Sequence, residues 1–137
     1  LVRRGVPLPL GSVCNERSLI YVDNLADVLV RCVQTPTAGG ETFLVSDGAP
    51  VSSPALLRMI GVAMGRPARL IPVPPALLRV AGALSGRREL VDRVIDSLAV
   101  DDEKTREMLE WEPRFSTELG LRATVDWYLG DNREVGA

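Results

Sequence analysis

The chain has 137 residues, 46% of them apolar and 25% charged, with a formal net charge of −2. That composition fits one folded domain with its own core and excludes a disordered segment. The near balance of 16 basic and 18 acidic residues argues against a nucleic-acid partner. No apolar run of about eighteen residues occurs, so neither a spanning helix nor a secretory leader is expected. A soluble, reducing, cytoplasmic setting follows as the expectation for Cys14 and Cys32. The chain opens on Leu1 rather than methionine, as a piece of a longer polypeptide would.

Along the chain, Gly5-Val-Pro-Leu-Pro-Leu-Gly11 cannot be helical, because Pro7 and Pro9 each remove a donor and keep the preceding residue extended. Ser18 to Val22 reads as a short strand, and Asp23 or Asn24 as the cap of a helix with Leu25, Val28, Leu29 and Cys32 on its buried face. Glu41 to Ser46 reads as a second strand. Ser53-Pro54 signals a helix start, with Gly65 as its stop. A helix from Pro75 ends at Ser85-Gly86, and a short one follows through Val94. The Gly61/Gly65 and Gly82/Gly86 pairs are terminators or close-packing points. Asp101 is the expected cap of a helix through Leu109, and Ser116 that of a last helix in which Leu121, Val125 and Tyr128 share a face. Trp111 and Trp127 are expected as core anchors. The expected organisation is one domain over residues 1–130 with a frayed tail at 131–137.

The chemistry census removes more than it offers. There is no His, so no His-based catalytic unit or histidine metal site can be built. No glycine-rich pyrophosphate turn occurs. Glu103, not glycine, precedes Lys104, the single lysine, which excludes a P-loop.

Arg17-Ser-Leu-Ile-Tyr-Val-Asp-Asn-Leu-Ala-Asp27 resembles the R-x-x-x-x-V-x-D-x-A segment of extended short-chain dehydrogenase/reductases that act on nucleotide sugars. Two further motifs occur in the required order: the Gly5–Gly11 segment upstream, and Asp101, Lys104, Leu109, Trp111 and Pro113 in the order of the family's D-x-x-K and L-G-W-x-P pattern. Glu110 replaces the glycine of that pattern, a departure that bears on the tightness of the turn. The likeness covers almost the whole chain and is closest to the substrate-binding, C-terminal part of the NAD-dependent epimerase/dehydratase group, in its bacterial polysaccharide branch. It implies an α/β fold class: a mostly helical small lobe with short strands, cut from a Rossmann-type parent.

That resemblance implies a nucleotide-sugar ligand, UDP preferred, and NAD(P) bound by a separate N-terminal lobe that carries the glycine-rich turn and a Tyr-x-x-x-Lys couple. Here Leu25 stands four residues after Tyr21 and Asn132 four after Tyr128, so the chain alone is expected to be inactive. Arg17 is the first candidate for the diphosphate, since a guanidinium fork grips two oxygens and stays ionised; the alternative is a solvated arginine at a strand entrance. Arg93 stands near the family's second phosphate arginine, with Arg87 and Arg88 as alternatives. Leu8, Leu10 and Gly11 occupy the segment whose backbone meets the nucleobase, through an acceptor carbonyl and apolar packing. Asn15 is a candidate for sugar or ribose hydroxyls or for a turn. Asp23, Asn24 and Asp27 read as capping and helix-surface residues. The strand at 41–45, bare of its parent sheet, is expected to favour a homodimer. The competing reading is a non-enzymatic interaction or regulatory module on the same scaffold.

Overall fold

A computed structural model describes residues 2–134, with side chains through Gly130. Six α-helices are present among them: α1 (Val22–Gln34), α2 (Ser53–Ala63), α3 (Pro75–Leu84), α4 (Arg88–Ile95), α5 (Glu103–Leu109) and α6 (Thr117–Glu134). Single 3-10 turns stand at Val2–Arg4 and Pro36–Ala38. The expected tail falls partly on 135–137, outside the described residues.

The mostly helical character expected of the lobe is present, whereas the expected short strands are not: no strand ladder forms among the described residues. Extended segments meet only at isolated bridges, Leu8 with Leu70 and Arg17 with both Val51 and Leu98. A strand is a relation between two segments, and the β-rich run at 41–46 has no such neighbour. Its carbonyls are taken by side chains of α5 instead: Thr105 Oγ1 donates to Leu44 O, and Lys104 Nζ lies 3.4 Å from Thr42 O.

Three helix starts differ from the sequence expectation, by one to three residues, while α3 starts at Pro75 as expected. Tyr21, not Asp23 or Asn24, is the N-cap of α1 and supplies no side-chain cap. The orphan amide of Tyr21 is satisfied from another loop, both carboxylate oxygens of Asp47 lying 2.9 Å from it. Ser52 caps α2 through the Ala55 amide, and Asp102 directly precedes α5 while the Asp101 carboxylate accepts from the Glu103 amide at 3.0 Å. The glycine pairs divide their labour. A Cβ on Gly82 would sit 2.7 Å from Val91 Cγ2, so this glycine seats α3 against α4, while Gly86 at φ 68° ends α3 in a conformation costly for any other residue.

The core centres on Val28, Leu109 and Trp111, with Ile20, Cys32, Phe43 and Val45 packed around them. Burying such side chains is worth roughly 1.5–3 kcal/mol each. α1 is apolar on more than one side, and only one is covered. Val28 is buried, whereas Leu25, Leu29 and Val33 face outward, Val33 at 89% exposure. Trp127 is likewise not a core anchor; it is 69% exposed on α6.

Candidate functional site

Arg17 is held at the centre of three chain segments. Its N–H and C=O exchange 2.9 Å hydrogen bonds with Val51, while Leu98 donates to Glu16 O at 2.8 Å and accepts from Ser18 N at 2.9 Å. With its backbone fixed from both sides, Arg17 extends its guanidinium toward α4, where Nη1 donates to the main-chain carbonyl of Arg93. Arg93 lies in the last turn of α4, exposed, with no ion pair for its guanidinium among the described residues. The two arginines line one cleft of about 420 Å³, together with Glu89, Asp92, Asp96 and Ser97. Two of those carboxylates are already engaged. Arg79 of α3 lies 2.7 Å from Asp96 and 3.5 Å from Asp92, and Arg88 lies 3.5 Å from Asp92. Arg87, the other alternative to Arg93, does not line the cleft.

The remaining expected site residues stand elsewhere. Asn15 is 3% exposed and spends its amide on the protein. Its Nδ2 lies 2.9 Å from Ser53 Oγ and 3.1 Å from the carbonyls of Val94 and Asp96, and its Oδ1 accepts from Ser53 N at 2.8 Å. It therefore pins the Arg17 loop to the start of α2 and the end of α4, and is not available to sugar hydroxyls. In the segment expected to offer an acceptor carbonyl, Leu8 O takes the amides of Leu10 and Ile71 at 2.9 and 2.8 Å, and Leu10 O takes that of Val13. Gly11 packs against the 71–72 backbone, where a Cβ would come within 3.0 Å of Ile71 C. Leu8, Leu10 and Gly11 line no part of the arginine cleft.

Of the motif residues read as capping and surface residues, Asn24 and Asp27 instead join a polar knot, with Asn24 at its buried centre. Asn24, fully buried, donates to Asp47 Oδ1 and Phe115 O, both at 2.7 Å, and accepts from Phe115 N at 3.1 Å. Asp27 accepts from Trp111 Nε1 at 2.8 Å and pairs with Arg114 at 2.8 Å. Asp102 takes Arg106 at 3.0 Å and the Ser46 hydroxyl at 2.6 Å, and the Arg106 guanidinium holds its carboxyl below the ordinary carboxylate value. Nothing in the local spacing around 23–27 announces these long-range partners. The Arg17–Asp27 and Asp101–Pro113 segments lie far apart in sequence and touch only in the fold.

A larger groove of about 670 Å³ runs between the 19–22 segment and α6, lined by Tyr21, Val22, Thr117, Leu121, Thr124 and Trp127. It holds no guanidinium and is mostly apolar. Lys104 is spent on Glu41, 2.7 Å away, and lies over the Phe43 ring. The Tyr21 hydroxyl is pushed up in pKa by its hydrogen bond with Asp23, the wrong direction for a phenol that must release a proton. No group of metal-ligating side chains occurs among the described residues.

The chain is a homologue of proteins named UDP-glucose 4-epimerase: it is 38% identical over 133 residues to one from Vibrio cholerae, a match covering 96% of this chain and 40% of that protein. Another of the same name, from Mycolicibacterium smegmatis, is 29% identical over 118 residues, covering 86% of this chain and 33% of its own length. A low-salt glycan biosynthesis protein Agl12 of Haloferax volcanii is 33% identical over 135 residues, 93% of this chain and 36% of that protein. The chain thus spans 33–40% of the length of these curated relatives. No family model and no solved structure matches it.

Proposed function

We propose that this chain holds the nucleotide-diphosphate sugar for an NAD(P)-dependent epimerase or dehydratase, with UDP-sugar 4-epimerisation or 4-keto-sugar reduction as the activity of the whole protein. The observation that carries this is the convergence of Arg17 and Arg93 on one cleft. Guanidiniums that stay ionised and present planar donor forks suit a flexible diphosphate better than any other side chain here. The greater length of the epimerase relatives supports a division of labour in which another lobe supplies the glycine-rich turn and the Tyr-x-x-x-Lys couple. The outward apolar side of α1 and the unpaired segment at 42–45 are then the surfaces that meet that lobe. In a chain by itself the same surfaces favour association with a second copy.

The test is a titration of UDP followed by the side-chain Nε–H resonances of arginine. Arg17 and Arg93 should shift together, and Arg17→Ala should weaken binding about tenfold or more, as loss of a charge-assisted bidentate contact does. Millimolar UDP that leaves both resonances unmoved would sink the proposal.

A further inference from the structure

The arginine cleft contains more carboxylates than guanidiniums, and an anion can use it only if that imbalance is offset. Glu89, Asp92 and Asp96 line it with Arg17 and Arg93. Unattended, three negative charges would repel a diphosphate and compete for the two donor forks. Yet neither Arg17 nor Arg93 is in an ion pair with any of them; Arg17 is bound to a main-chain carbonyl instead. The reason lies on α3. Arg79 approaches from outside the cleft lining and takes Asp96 Oδ1 at 2.7 Å and Asp92 Oδ1 at 3.5 Å. Arg88 reaches the other oxygen of Asp92 at 3.5 Å. The close seat of α3 on α4 at Gly82 and Val91 delivers Arg79 to this position.

We propose that Arg79 is a positioning residue of the cleft: by holding Asp96 and Asp92 to itself, it keeps the Arg17 and Arg93 guanidiniums open to the two phosphates of a nucleoside diphosphate. With Arg79 present, four guanidiniums face three carboxylates; without it, the balance is level and Asp96 is released beside the ligand. The inference rests on the diphosphate reading above. A purely structural brace between α3 and α4 is the competing role. Arg79 is half-exposed, so its ion pairs add little to stability, and its loss should leave the chain folded.

Calorimetric titration of UDP into the whole chain and its variants separates the two. Arg79→Gln should weaken UDP binding about tenfold, and adding Asp96→Asn to that variant should restore most of the affinity. A brace would not be rescued by removing the charge it paired with. Binding by Arg79→Gln equal to the wild type, or a double variant as weak as the single one, overturns the proposal. If Arg79→Gln does not fold, Asp96→Asn alone decides: UDP binding at least as tight as wild type supports the role, and weaker binding overturns it. Failure of the wild type to bind UDP, or indifference to Arg17→Ala, removes the diphosphate reading itself and this inference with it.

Discussion

The polar knot around Asn24 and the cleft around Arg17 use similar residue types to opposite ends. In the knot, Asn24, Asp47 and Asp102 bind groups distant in sequence, and no buried side-chain polar atom of the described residues lacks a partner. In the cleft, Arg93 is exposed and without an ion pair among the described residues, and two of the three nearby carboxylates, Asp92 and Asp96, are turned to residues behind the lining. A satisfied network specifies one structure, while donors left open at a surface leave something for a ligand to complete. The motifs that make the sequence recognisable therefore lie largely in the knot. They report how the chain folds more directly than what it binds.

Three changes would break or sharpen that contrast. The largest effect is expected at Asn24→Ala, which strands the Phe115 amide and carbonyl and removes a donor from the Asp47 carboxylate. It should destabilise the chain by about 3 kcal/mol in denaturant unfolding, while UDP affinity per folded molecule stays unchanged. Next is pH. Because Arg106 depresses the native pKa of Asp102, the stability that carboxylate contributes is complete above its unfolded value and is lost as the pH falls through the native one. Unfolding from about pH 6 to about pH 3 should therefore lose less stability in Asp102→Asn than in the wild type, by about 1 kcal/mol. The smallest is a gain. Glu110 ends α5 at φ 45°, and its contact with Arg31 at 3.9 Å is exposed and weak. Glu110→Gly should stabilise by about 1 kcal/mol, read as a rise in Tm; no rise would mean that the left-handed turn costs nothing there.

Much of the helical plan was legible in the sequence, because Pro54, Pro75, Ser116 and Gly86 carry their effect within one turn of chain. α3 runs from Pro75 to the residue before Ser85 as its signals imply. The strands were not legible as absences, since Val and Ile mark a residue's fitness for a sheet and not the presence of a neighbour. Arg17 and Arg93 could be nominated from the resemblance, but Arg79 could not. Its partners lie on the next helix, and only the closeness of Gly82 to Val91 brings them within reach. The partners of Asn15 are illegible for a related reason. A lone amide near a turn looks free until Ser53, thirty-eight residues onward, is found to occupy it.

The clasp on the Arg17 backbone also makes the surrounding loops a measuring device. Alternate residues of an extended segment point to opposite faces, so a slip of one position against Val51 and Leu98 would bring Glu16 or Ser18 to where Arg17 now stands. The first exchange reverses the charge at the mouth and the second erases it. Loop length between α1 and α2, or between α4 and α5, thus sets the charge presented at the cleft, and an inserted residue there would change it with every side chain intact.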